Sequence, residues 1–353
     1  MQKIYINGKY LSVRMTGVQR VAHEMVPRVK AILSKNGIEC EILEIPQWLR
    51  FKRFQSFWGT LWEQVVLPLA TARGILINFC NAAPVLTPRK QIVVMYDAAV
   101  FDMPNNYSFA YRVWTKFMAY AVALRKDMMF TSSEFSISRI SGALKIDRNR
   151  IRLMRASGKH IFKVMRDDKV FSKLNIQPKK YVLAVGSLQP GKNFHNLLKA
   201  MEYVDSDTYL VIAGGKDGLV FASGIELSGN RYVHAGYVTD EELAALYQGA
   251  LCFIQPSVYE GFGLPAAEAM ALGTPIVSSN AASLPEVCGS AAVYFDPLDP
   301  KAIAEAINLV IKNENLRKEL IEQSVVQTEY FDWDLAAAEF VELLMREMDA
   351  KNA

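Results

Sequence analysis

The chain has 353 residues, 51% of them hydrophobic, with 40 Lys+Arg against 36 Asp+Glu, a composition that excludes a disordered chain and leaves room for two domains with sizeable cores. No apolar run is long enough to cross a bilayer, so any membrane contact is expected to be peripheral. The net charge of +4 hides a division: residues 1–170 hold 27 Lys+Arg against 12 Asp+Glu (+15), and residues 171–353 hold 13 against 24 (−11).

The N-terminus, MQKIYINGKYLSV, alternates apolar and polar residues like a first strand and lacks the apolar stretch of a secretory signal. Further short strands are expected at CEILEI, GILINF, QIVVMYD and DMMFTSS, separated by helical segments such as GVQRVAHEMVPRVKAILSKNG. Charges cluster at 160–178, where a join is expected. The alternation then restarts with KYVLAVGS, TYLVIAGG, NRYVHAGYV, LCFIQPS, PIVSS and AAVYFD, with helices between them. The expected architecture is α/β: an N-terminal Rossmann-like domain over 1–165, a second over 166–330, and a closing helix within 331–353 that packs back on the first domain. Two such domains would face a central cleft, because ligands of parallel open sheets bind beyond the carboxyl ends of the strands. The four cysteines show no C-x-x-C spacing and sit in or beside apolar segments, so buried free thiols in a reducing cytoplasm are expected.

The segment after LCFIQPS carries the sharpest chemistry. Glu260 and Glu268 stand eight positions apart, with Gly261, Phe262, Gly263, Leu264 and Pro265 between them at the start of a helix. The glycines let backbone approach a ligand, Pro265 suits the first helical position, and the helix end with its free amides attracts oxyanions. The two carboxylates can accept hydrogen bonds from sugar and ribose hydroxyls. A plain reading is also available, in which Glu268 complements the helix dipole and Glu260 is a solvated loop acid.

Taken together, Glu260, the GFGLP run and Glu268 resemble the E-x7-E signature of retaining glycosyltransferases of family 4, which have the GT-B fold. AMALGTPIVSSNAASLPEV, AVGSLQPGKN, HAGYVTDEELAALYQGA and FDWDLAAAEF extend the likeness over most of the second half, and TGVQR and TSSEF extend it faintly into the first. The resemblance implies that Lys192 binds the donor phosphates, that Ser187 and Gly191 stand where the family usually has an arginine, and that Gly17 lies in a turn near those phosphates. It places Val238 where backbone holds the nucleobase. It aligns Tyr96–Asp97 with a His–Asp pair of which only the aspartate is kept, Asp97 either orienting the acceptor or serving as a turn former. Glu260, Lys192 and Asp97 are the catalytic candidates. Ser187, Val238, Gly17, Glu260, Gly261, Phe262, Gly263, Leu264 and Glu268 join Lys192 as donor-binding candidates. No protein nucleophile is implied, since front-face attack assisted by the donor phosphate is the usual proposal for this family.

Other motifs compete. GSLQPGKN nearly matches a P-loop, but Asn193 replaces the Mg²⁺-binding hydroxyl. Asp205–Asp207 and Asp332–Asp334 spell D-x-D, which loop solvation and helix capping explain without a metal. A dehydrogenase glycine fingerprint is missing. Trp48 to Trp62 mixes aromatics with Arg50, Lys52 and Arg53, as a helix lying on a membrane does, or as an internal helix of the acceptor domain does. The expectation is a metal-independent, retaining hexosyltransferase needing no cofactor. The resemblance implies GDP-mannose or a UDP-hexose as donor and a growing, lipid-linked polysaccharide or lipopolysaccharide as acceptor. An anionic membrane surface, and no nucleic acid, is the expected partner of the basic half, at the cytoplasmic face of the membrane. A sugar-nucleotide epimerase or phosphorylase, or an inactive sugar-nucleotide binder, would share the same phosphate architecture.

Overall fold

The computed structural model describes residues 3–47, 55–204, 207–215 and 231–349. The chain divides into two compact units. The first comprises Met1–Phe101, Arg112–Ala156 and Trp333–Ala353; the second comprises Asp102–Tyr111 and Ser157–Asp332. Each is built on a six-stranded sheet whose strand pairs are all parallel.

In the first unit the strands are β1 (Ile4–Asn7), β2 (Cys40–Leu43), β3 (Ile75–Asn78), β4 (Gln91–Val94), β5 (Met128–Thr131) and β6 (Ile151–Leu153), ordered β2-β1-β3-β4-β5-β6. The central strands β3 and β4 are buried at every residue, as expected of a parallel sheet covered on both faces. The helix Gly17–Lys35 buries Val21, Ala22, Met25, Val26, Val29 and Leu33, which recur at steps of three and four and so form one apolar stripe. The chain's last helix, Trp333–Asp349, packs against that helix in the same unit. It sets Phe340 against Phe79 and Phe130, at centroid distances of 5.3 and 4.5 Å, and Arg28 clasps Asp334 at 2.7 Å. A polar cluster lies inside the unit: Asn7 donates to Glu63 and Asn78, and Lys9 reaches the buried Glu63 carboxylate at 2.8 Å.

The second unit holds β7 (Tyr181–Val185), β8 (Tyr209–Ala213), β9 (Tyr232–Gly236), β10 (Cys252–Gln255), β11 (Ile276–Ser279) and β12 (Ala292–Phe295), ordered β12-β11-β10-β7-β8-β9. From β7 the chain winds outward through β8 to β9, returns to the other side of β7 with β10, and winds outward again to β12. The strand order therefore reverses between β7 and β10. At such a switch the two following loops leave in opposite directions and open a crevice at the carboxyl ends. Packing at these ends is tight. Gly214, at φ +137°, has no room for a side chain, since a Cβ would lie 2.0 Å from the Gly186 carbonyl oxygen.

All four cysteines are free; Cys252 and Cys288 are buried, and Cys40 and Cys80 are half-buried. Among the described residues no helix is long and apolar enough to cross a membrane.

Candidate functional site

The loops after β7 and β10 meet at the switch point. After β7 the chain makes a tight turn at Pro190–Lys192, and Asn193 then enters the left-handed region at φ +59°. The Asn193 amide donates to the carbonyls of Pro256 (3.0 Å) and Pro297 (2.6 Å), tying the loop after β7 to those after β10 and β12. The Val258 amide donates to the Gly191 carbonyl at 3.0 Å, which closes the crevice base. The residue that spoils the P-loop motif is thus a clamp between loops.

Lys192 and Glu260 are brought together by this arrangement: Nζ lies 2.6 Å from the Glu260 Oε1, with both side chains mostly buried. The same oxygen accepts from Gln255 Nε2 and from the Ser257 hydroxyl, each at 2.7 Å. Three donors on one carboxylate oxygen fix the group's orientation. The other oxygen, Oε2, has no hydrogen-bond partner among the described residues, so it can accept from a ligand hydroxyl. The lysine keeps two further N–H donors for an anion.

Beyond Glu260 the chain runs through buried Gly261, Phe262 and Gly263 into the helix Leu264–Ala271. Ser283 pins the turn by donating to the carbonyls of Glu260 (3.0 Å) and Phe262 (3.1 Å). Phe262 packs edge-on against Phe331, at 5.4 Å between centroids. Gly263 takes φ +97°, a conformation that favours glycine, and a Cβ there would meet the Leu284 side chain at 2.7 Å. Pro265 stands at the second helical position rather than the first, where its missing N–H still costs nothing. The amides of Phe262, Gly263 and Leu264 have no partner among the described residues, and they stand at the positive end of the helix.

Glu268 is one turn further along and is engaged differently. Its Oε2 accepts from the Tyr247 hydroxyl at 2.8 Å, and its Oε1 faces His160 Nε2 at 3.1 Å. All three side chains are buried. Burial and the neighbouring carboxylate push the Tyr247 phenol well above its ordinary range, so it stays a donor. Glu268 therefore meets protein groups on both oxygens.

The remaining candidates are more dispersed. Ser187 follows β7 half-buried, and its hydroxyl has no partner among the described residues. Val238 follows the edge strand β9 and precedes Thr239, which caps the helix Asp240–Gly249 in a capping box with Glu242. Gly17 and Asp97 belong to the first unit. Gly17 is the exposed first residue of its helix rather than part of a turn directly after β1, because a short 3-10 helix, Gly8–Ser12, intervenes. The Asp97 carboxylate accepts from the Ala99 amide at 2.9 Å, as a helix-capping aspartate does. Tyr96 is buried, donates its hydroxyl to the Phe79 carbonyl at 2.8 Å, and is raised well above its ordinary range by burial. It fills space rather than offering a base.

Among the described residues no group of three or more His, Cys, Asp or Glu converges to hold a metal. Of the two D-x-D motifs, Asp205 and Ser206 lie outside the described residues. Asp332 accepts from Lys159 at 3.3 Å, and Asp334 is paired with Arg28. Residues 48–54 of the aromatic-basic segment, with Arg50, Lys52 and Arg53, also lie outside the described residues.

Sequence reasoning missed Gln255, Ser257, His160 and Tyr247. A glutamine and a serine in the otherwise apolar run CFIQPS were a usable signal for the first two. Nothing local could link His160 or Tyr247 to Glu268, 108 and 21 positions away.

A segment of the first half also takes part. Asp102 accepts from the Tyr259 hydroxyl at 2.9 Å, and the Asn106 amide lies against Gly191, so 102–111 is part of the second unit at its loops after β7 and β10.

Residues 166–325 match the family described as Glycosyl transferases group 1. The O-antigen chain mannosyltransferase B of Escherichia coli is 36% identical over 175 residues, which are 47% of this chain and 45% of that relative. The O-antigen chain mannosyltransferase RfbU of Salmonella typhimurium is 29% identical over 248 residues, 67% of each chain. The chain thus spans less than half the length of the first of these relatives. Among solved structures, Anabaena Alr3699/HepE in complex with UDP and glucose superposes with a TM-score of 0.74 at 15% identity, over 98% of this chain and all of that one. Residues 166–325 are a glycosyl transferases group 1 domain, related to O-antigen mannosyltransferases and carried in a chain of GT-B fold.

Proposed function

We propose that this chain is a retaining hexosyltransferase that uses a nucleotide-activated sugar. The observation that carries the reading is the Lys192–Glu260 pair, 2.6 Å apart at the reversal of strand order and next to the open amides that begin the helix Leu264–Ala271. A diphosphate supplies the negative charge that a lysine and a helix N-terminus neutralise together. A hexose supplies the hydroxyls that the unengaged Glu260 oxygen accepts. Because the protein itself provides this positive charge, the reading needs no metal ion.

The O-antigen relatives support mannose as the sugar, GDP-mannose or a UDP-hexose as the donor, and a growing lipid-linked polysaccharide or lipopolysaccharide as the acceptor. The UDP and glucose bound by the Anabaena protein support a nucleotide sugar more broadly. Retention follows the family resemblance, with the leaving phosphate taking the proton of the incoming hydroxyl on the same face. A cytoplasmic location suits both such donors and free thiols.

The test is a thermal-shift screen of nucleotides and sugar nucleotides, since a ligand that binds only the folded state raises the melting temperature with its concentration. The expected hit is GDP-mannose or a UDP-hexose, followed by transfer to a lipid-linked acceptor in the presence of EDTA with the anomeric configuration kept. Loss of transfer in EDTA, inversion at the anomeric carbon, or conversion of the donor without an acceptor would each overturn part of this reading.

A further inference from the structure

The segment 102–111 joins the second unit from the first half of the sequence, and it meets the residues that precede both members of the Lys192–Glu260 pair. The Tyr259 hydroxyl, immediately before Glu260, donates to Asp102 at 2.9 Å. Further along, the Asn106 amide nitrogen lies 3.5 Å from where a Cβ on Gly191 would stand, immediately before Lys192. The Gly191 carbonyl accepts from the Val258 amide, so Asn106 faces the residue at which the loops after β7 and β10 are tied together.

The local backbone does not need the Asn106 side chain. Pro104 opens the 3-10 turn Pro104–Asn106, and the Asn106 backbone amide closes on the Met103 carbonyl at 3.1 Å. Asparagine commonly stabilises a turn by bonding its side chain to nearby backbone. Here, among the described residues, the side chain's one hydrogen-bond partner is the Met103 sulfur at 3.7 Å, a weak acceptor. The half-buried amide therefore keeps donor capacity for a ligand. Charge gives that capacity a use. The Lys192 ammonium is balanced by the Glu260 carboxylate at 2.6 Å, so a diphosphate entering beside the pair calls for donors beyond the lysine. Phosphate oxygens only accept, and an amide NH₂ offers two donors.

We propose that Asn106 is a further donor-binding residue, its side-chain amide donating to the phosphate that Lys192 holds, and that the Asp102–Tyr259 bond positions it there. The inference rests on the reading of this crevice as a nucleotide-sugar site. It adds to that site a residue from the first half of the sequence, 86 positions before Lys192.

The experiment is isothermal titration of the whole chain with GDP and UDP, and with the nucleoside that matches whichever of them binds. The wild type is compared with Asn106→Ala, Asn106→Asp, Tyr259→Phe and the double variant Tyr259→Phe with Asn106→Ala. Asn106→Ala should lose roughly 10- to 150-fold in diphosphate affinity, the range for a hydrogen bond to a charged group. Asn106→Asp keeps the shape but sets a carboxylate against phosphate, so it should lose more. Tyr259→Phe should lose less than Asn106→Ala, and the double variant no more than Asn106→Ala alone, because a positioning bond has nothing left to position once the amide is gone. Nucleoside affinity should stay at the wild-type value in all four, and both Asn106 variants should keep the wild-type melting temperature. Asn106 variants that bind the diphosphate as the wild type does, an equal loss for the nucleoside, or an aspartate variant that binds as tightly as the alanine variant would overturn the phosphate contact. Additive losses in the double variant would overturn the positioning role. A wild type that binds neither nucleotide would overturn the donor reading itself, and this inference with it.

Discussion

Replacing Glu260 by glutamine separates the charge of this side chain from its shape. The amide oxygen can still accept from Lys192, Gln255 and Ser257, so the loop keeps its three anchors. Two things change: the partly buried Lys192 loses its counter-charge, and an NH₂ donor replaces the oxygen left for a ligand. Hydrogen bonds to a charged group contribute about 1.5–3 kcal/mol, which converts to a loss of roughly 10–150-fold in donor affinity if that oxygen holds a sugar hydroxyl. Stability should fall by a smaller amount, about 1–2 kcal/mol, because the pair is not fully enclosed and the acceptor atom remains. The assay is isothermal titration with the best donor from the thermal-shift screen, and again with the matching nucleotide diphosphate, alongside urea denaturation. Sugar-nucleotide affinity should drop while affinity for the free diphosphate is held or improved, since Lys192 is released toward phosphate. Equal loss for both ligands would place Glu260 on the phosphate side through Lys192 alone, and unchanged affinity for both would refute the reasoning.

Other substitutions probe neighbouring features. Tyr247→Phe removes only the hydroxyl that Glu268 accepts at 2.8 Å, leaving a buried carboxylate oxygen short of a donor. A loss of about 1–3 kcal/mol in urea denaturation is expected, and no loss would mean that this bond is not part of the folded-state balance. Phe340→Ala empties the space between Phe79 and Phe130 and should cost about 3–5 kcal/mol, measured in the same way. Gly214→Ala, whose Cβ would clash with the Gly186 carbonyl, should melt well below the wild type or fail to fold. A wild-type melting curve would show that this approach relaxes freely. High pH should destabilise the protein through its buried thiols: burial pushes Cys252 and Cys288 from 9.0 up to about 12. Unfolded thiols lose their protons first, so this stabilising contribution is complete below pH 9 and disappears as pH rises toward 12, at about 1 kcal/mol per pH unit for each thiol. Cys252→Ala should flatten the fall in urea midpoint between pH 9 and 11.

Much of this architecture was legible in the sequence because it rests on local periodicity. Strands such as YVLAV and CFIQ are short apolar runs that only a doubly covered parallel sheet accommodates, and the helices between them repeat at three and four. The acidic pair around GFGLP and the lysine of GSLQPGKN were equally visible, since a glycine turn into a helix is a local signal. Their encounter was not. Lys192 and Glu260 are 68 positions apart, and only the crossover that puts β10 beside β7 brings their loops to one crevice. The two glutamates, alike in the sequence, part company in the fold: one keeps an oxygen free above the crevice, while the other is closed off by Tyr247 and His160. Capping by Asp97, burial of Tyr96 and the clamp made by Asn193 are likewise decisions of packing. The helix Phe109–Leu124 shows the same division. Its residues are as apolar as those of a core helix. Only the tertiary structure decides which face is covered and which is left exposed.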